Sequence, residues 1–285
     1  MIKLKITKDT ALTLATFFSL LIVCYCLGFW LIFRMEQATP LMLSVGVATI
    51  ITCISRKRSL ASLGWQWGAW KYQWLSYLIP FIIVLLAYSI IWLGGFGDFY
   101  NVDFLLKQKQ HYNLGTWNDA EILLFHLTLV ASVSFFVSLP SVLGEELGWR
   151  GFLVPELSKF MSFTGVALTS GLIWSVWHWP LIIMGLYGND VTPLSYQLFF
   201  FTMFILSSGV IMAYLRLKTG SLWTAVIYHM SANILIQKIF TPITLTNSVS
   251  SWYIDEFGAI TALVSCSVAW YFLKKGIAEF DEIRA

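Results

Sequence analysis

The chain reads as an all-α polytopic bundle of about eight transmembrane helices, and three observations carry that reading. Of its 285 residues 58% are hydrophobic and only 12% charged, whereas soluble domains carry about 25% charge. Eight apolar runs, at 11–33, 40–54, 74–95, 121–143, 163–184, 194–215, 220–239 and 257–273, approach the ~20 residues a helix needs to cross hydrocarbon. With an inner N-terminus, fourteen of the eighteen Lys and Arg fall on the inner side and only Arg34, Lys107, Lys109 and Lys238 outside. That asymmetry is what the positive-inside rule predicts, and it puts both termini in the cytoplasm of a multi-pass cell-membrane protein. The net charge of +3 follows from these anchors and forms no cluster for nucleic acid, so lipid is the expected surroundings.

The first run follows Lys3, Lys5 and Lys8 and lacks a small-residue cleavage site before Trp30, so it reads as a retained signal anchor. After the short second run, residues 55–73 interleave Trp65, Trp67 and Trp70 with basic residues, as an interfacial segment does. The outer loop 96–120 ends in "LGTWNDAE", where Asn118 or Asp119 suits the N-cap of the next helix. His126, Gln197 and Gln237 are read as hydrogen-bonding groups between helices, and Asp255 with Glu256 as capping charge before the last run. Cys24, Cys26, Cys53 and Cys266 lie inside apolar runs at no metal-binding spacing. No linker, repeat or charge block divides 1–285, which is read as one domain.

Ionisable groups at membrane depth are costly, so they are where function is sought. Three groups meet that description: Glu145, Glu146 and Arg150 in "GEELGWRG", His178 in "WSVWHWP", and His229 with Asn233 in "YHMSAN". On a helix Glu146 and Arg150 share a face and pair, while Glu145 is rotated by about 100° and stays free of that partner. Glu146 and Arg150 then brace the helix and Glu145 suits a general base. His229 and Asn233 are one turn apart and face one way, as two donors to an oxyanion need. Trp174 is one turn before His178 and packs against its imidazole, and Pro180 kinks or ends the helix nearby. Each group taken singly is also ordinary: the charges as a helix terminus in the headgroups, either histidine as a packing residue.

Together, "EELGWR", "WSVWH" and "HMSAN" resemble the three motifs of the CPBP family, the type II CAAX prenyl endopeptidase and bacteriocin-processing (Abi) group: Glu-Glu-x-x-x-Arg, Phe-x-x-x-His and His-x-x-x-Asn. Order and internal spacing match within residues 120–240, the implied catalytic core; the one departure is Trp174 in place of Phe. The resemblance implies an intramembrane endopeptidase acting on a membrane-associated or lipidated peptide or protein. By position, Glu145 and His178 would activate water, His229 and Asn233 would stabilise the oxyanion, and Glu146, Arg150 and Trp174 would support them.

Glu145, His178 and His229 also make up a His₂Glu set, which admits zinc with an open position for water, beside a metal-free mechanism with glutamate as base. Two other classes compete. A haem carrier would use His178 and His229 as axial ligands but leaves Glu145 and Asn233 without a task. A non-catalytic member, serving bacteriocin immunity or transport, would keep the pocket for binding alone. One difficulty stands against convergence: with Glu145 at the inner end of the fourth run, His178 lies about 22 Å from the inner end of the fifth. Either the fourth helix is longer than its apolar run, or the fifth runs obliquely.

Overall fold

The computed structural model describes residues 6–281. Lys3, Lys5 and Arg284, used in the charge count, lie outside them. The long helices are α1 (Lys8–Met35), α2 (Thr39–Ser55), α3 (Trp70–Leu93), a short amphipathic α4 (Val102–His111), α5 (Asp119–Ser158), α6 (Phe163–Ile183), α7 (Leu194–Thr219), α8 (Trp223–Asn233) and α9 (Ala259–Gly276). Five of these, α1, α3, α5, α6 and α7, are long and apolar enough to cross a membrane, and α2 is a shorter apolar helix. The chain is therefore an all-α, multi-pass membrane protein. Its β structure among the described residues is one two-residue pairing, Asp98–Phe99 against Thr244–Leu245.

The largest departure from the apolar runs is α5. It begins at a capping box in which Asn118 Oδ1 accepts from the Glu121 amide at 3.0 Å and Glu121 returns the bond to the Asn118 amide at 2.8 Å. The helix does not stop at 143. It continues through "GEELGWRG" to Ser158, widening into π turns at Val130–Ser134 and Leu147–Leu153. The charges that read as a terminus are an interior segment, because Glu146 and Arg150 neutralise each other inside the bundle. This corrects the count in which Arg150 was an inner-loop residue: it is fully buried. Arg216, counted likewise, is 6% exposed and donates from Nε to the Arg150 carbonyl at 2.8 Å.

The longer α5 also removes the depth difficulty. Glu145 lies 13 residues before Ser158, about 20 Å along the axis, and His178 lies 15 residues after Phe163, about 22 Å. Both distances run from the same connecting turn, so the two side chains stand at one level. Helix α6 continues through Pro180 and ends only at Ile183.

Close approach at that level depends on glycine. A Cβ on Gly46 of α2 would stand 2.8 Å from the Gly144 carbonyl oxygen of α5, beside Glu145. A Cβ on Gly209 of α7 would stand 3.0 Å from the Gly171 Cα of α6, two turns before His178. Membrane helices lack a hydrophobic drive toward one another, so backbone contact through small residues is how they gain packing energy.

The connections hold further findings. Segment 55–73 carries exposed Trp65, Trp67 and Trp70; the rings of Trp65 and Trp67 pack against Trp223, and Trp70 packs against Trp67. Loop 96–120 contains α4 instead of a continuous polar loop. His126 Nε2 meets the Lys238 carbonyl at 2.9 Å, an interhelical bond, whereas Gln197 holds the turn at Asn189 and Thr192. All four cysteines are free.

Asp255 and Glu256 do not cap α9: its N-cap is Gly258, with no side-chain bond. Asp255 adopts a left-handed backbone (φ 58°) and accepts from the Phe257 amide at 2.7 Å. Glu256 turns inward to accept from the Tyr187 hydroxyl at 3.2 Å and from Gln237 Nε2, and it is 5% exposed. Its partners arrive from other segments, so nothing local in the sequence separates this pair from a cap. Burial holds both carboxyls above the usual carboxylate range.

Candidate active site

Helices α5, α6 and α8 each contribute one group to a single cavity of about 590 Å³. Glu145, Trp174, His178, His229 and Asn233 all line it. The remainder of the wall is mainly apolar, with Leu181, Phe201, Phe204, Ile205 and Met212 among its members. Glu146 and Arg150 are not on the wall; they sit behind it, both fully buried.

The two adjacent carboxylates have different partners. Arg150 donates from Nη1 to Glu146 Oε1 at 2.9 Å, across the π turn, and His229 donates from Nδ1 to the same oxygen at 3.0 Å. Glu145 instead accepts from the indole Nε1 of Trp174 at 2.8 Å. Adjacent helical residues diverge by about 100°, so one faces Arg150 and His229 and the other the cavity. π turns inside α-helices recur at functional sites. Here the wide turn keeps Arg150 opposite Glu146 while releasing its own carbonyl to Arg216.

The imidazoles are held in matching ways. His178 Nδ1 lies 2.9 Å from the Trp174 carbonyl, an acceptor only, so Nδ1 carries the proton and Nε2 is left with its lone pair. His229 has Nδ1 on the Glu146 carboxylate, which again leaves Nε2 as the free nitrogen. The Trp174 ring contacts both, with centroids 6.1 Å from His178 and 5.1 Å from His229, and the Arg150 guanidinium lies 4.1 Å from its ring centre.

Nδ1 protons bound to a carbonyl and a carboxylate are the outer partners that metal-binding histidines use. The complete donor set does not follow: among the described residues no three His, Cys, Asp or Glu side chains come together to hold one ion. Glu145, His178 and His229 are not gathered into such a group in this arrangement.

Two features were not read from the sequence. The bond from His229 to Glu146 joins residues 83 apart, and no local spacing signals it. Tyr187, Gln237 and Glu256 also line the cavity, adding a second buried carboxyl. Its only signal was an acidic pair before an apolar run, which equally describes a cap.

Residues 126–235 match the family model described as type II CAAX prenyl endopeptidase, Rce1-like. Over 103 residues the chain is 35% identical to CAAX prenyl protease 2 of Methanococcus maripaludis, a match covering 35% of this chain and 38% of that protein. The matched segment holds Glu145, Glu146, Arg150, Trp174, His178, His229 and Asn233, and excludes Gln237 and Glu256. The chain thus spans less than half the length of that relative, and its likeness to the Rce1-like type II CAAX prenyl endopeptidases lies in this segment, built around one cavity inside a membrane bundle.

Proposed function

We propose that the protein is an intramembrane endopeptidase that cleaves a peptide bond in a membrane-associated or lipidated peptide or protein. The observation that carries this is a buried carboxylate, Glu145, on the wall of one cavity with two imidazoles whose Nδ1 atoms are already engaged. Such a constellation supplies proton acceptors away from bulk water, where their orientation is set before substrate arrives.

In this reading a water molecule is held between Glu145 and His178 Nε2. As its oxygen bonds to the substrate carbonyl carbon, one proton passes to Glu145 and the carbonyl π pair moves onto oxygen. Asn233 Nδ2 donates to that oxyanion, joined by His229 Nε2 when the ring carries a second proton. The oxyanion collapses, the C–N bond breaks, and Glu145 returns its proton to the departing amine. Atoms and charge balance without a further reagent. Glu146 and Arg150 hold His229 and the π turn without touching substrate.

The test uses purified full-length protein in liposomes with internally quenched peptides, farnesylated at a cysteine near the C-terminus or left unmodified. Cleavage that is lost in Glu145→Ala and in His178→Ala supports the reading. Cleavage retained in Glu145→Ala rejects it, and a folded wild type cleaving neither peptide points to the binding-only alternative. The same preparation assayed before and after chelation, with metal analysis, tests the zinc alternative: activity retained in metal-free protein rejects it.

A further inference from the structure

We propose that Trp174 is a positioning residue whose indole N–H sets the orientation of the Glu145 carboxylate, with Arg150 acting on Glu145 through the Trp174 ring. The inference rests on the peptidase reading for its kinetic consequence, but the tie between the two side chains stands on geometry alone.

A glutamate carboxylate turns easily. Its last torsion joins tetrahedral to planar carbon and has a broad, roughly two-fold profile, so a buried carboxylate takes its direction from its donors. Glu145 is 3% exposed, and among the described residues its carboxylate accepts one hydrogen bond, from Trp174 Nε1 at 2.8 Å. Nε1–H is a donor only and lies in the ring plane. It therefore occupies Oε2 and leaves Oε1 for the cavity.

The donor has to be fixed in turn, and the indole is held from several sides. The Arg150 guanidinium covers one face at 4.1 Å from the ring centre, within the range of cation–π attraction. The His229 and His178 rings meet it at 66° and 65°. The backbone of the same residue accepts the His178 Nδ1 proton. One residue thus sets the plane of the carboxylate and the tautomer of the neighbouring imidazole. Arg150, pinned to Glu146, transmits the rigidity of the buried ion pair to a base with which, among the described residues, it shares no hydrogen bond.

Space filling alone would be met by any flat aromatic ring, which separates the two readings experimentally. Trp174→Phe keeps a ring beneath Arg150 and removes the donor. Replacement of Trp174 by benzothienylalanine, with sulfur where the indole has N–H, keeps the bicyclic shape and removes only the donor. Both are prepared in the full chain in lipid nanodiscs, together with ¹⁵N-indole-labelled wild type, Glu145→Ala and Glu145→Gln. The Trp174 indole resonance, assigned by its absence in Trp174→Phe, is expected to move in Glu145→Ala and to return most of the way in Glu145→Gln, which restores an acceptor.

On whichever quenched peptide wild type cleaves, the benzothienyl variant is expected to lose about tenfold in kcat with KM held within about twofold and an unchanged melting temperature, the pattern of a group acting after substrate binds. An indole resonance indifferent to Glu145→Ala overturns the tie, and wild-type kcat in both Trp174 variants overturns its catalytic consequence. Should wild type cleave neither peptide, the peptidase reading fails while the resonance still decides whether Trp174 holds Glu145.

Discussion

Two adjacent acid pairs face the same interior under different rules. Glu145 and Glu146 lie within a helix, which sends them apart: Glu146 to a guanidinium and an imidazole, Glu145 to a neutral indole donor and the cavity. Asp255 and Glu256 lie in the connection before α9, where Asp255 closes a local turn and Glu256 reaches only a phenol and an amide. The first pair is compensated by an internal cation and the second is not. Burial therefore raises the proton affinity of the second pair. Identical chemistry in sequence thus yields a braced charge in one place and a protonatable group in the other, according to the donors the fold supplies.

The comparison breaks most readily on activity. Glu145→Ala is expected to lower kcat/KM for peptide cleavage by roughly 10²- to 10⁴-fold, the usual contribution of a general base. Glu256→Ala, on the same wall but outside the proposed chemistry, is expected to retain a measurable rate on the same peptide. Equal losses in both would erase the distinction drawn between the pairs.

Stability sharpens it next. Arg150→Met leaves Glu146 without its guanidinium, and breaking one side of a buried ion pair costs about 3–5 kcal/mol. Reversible unfolding in mixed micelles reads that loss. A change below about 1 kcal/mol would mean the pair adds no more than a surface bridge does.

The effect of pH separates the pairs again. Because the Glu256 carboxyl is raised above its unfolded value, its contribution is complete below the ordinary carboxylate range and is lost as pH rises through the raised value. The melting temperature of wild type is expected to fall relative to Glu256→Gln as pH rises from the unperturbed glutamate value of about 4 through neutral pH. A constant difference across that window would show that Glu256 ionises as it does in water.

The smallest effect is expected at Asp255→Asn. The side-chain oxygen that accepts from the Phe257 amide is kept, and asparagine tolerates the left-handed backbone there. The change in unfolding free energy is expected to stay within ~0.5 kcal/mol.

Much of the bundle was legible because bilayer thickness imposes a length and an apolarity that any spanning helix must display. The pairing of Glu146 with Arg150 follows from helical spacing in the same way. The continuation of α5 to Ser158 was hidden, since hydropathy registers Glu145, Glu146 and Arg150 as three charges and cannot register that two of them cancel. The misreading of Glu256 has the opposite cause: nothing near it in sequence announces Tyr187 or Gln237, which arrive from other segments.

The sequence alone determined that this chain must be a membrane helix bundle, which residues carry charge into it, and which neighbours share a helical face. Those are consequences of local period and transfer energy. Only the tertiary structure decided that His229 answers to Glu146, that Trp174 holds Glu145, and that a second carboxyl joins the cavity wall. Contacts between distant segments depend on how closely helices approach, and glycine contacts at Gly46, Gly144, Gly171 and Gly209 govern that approach through shape, which has no periodic signature.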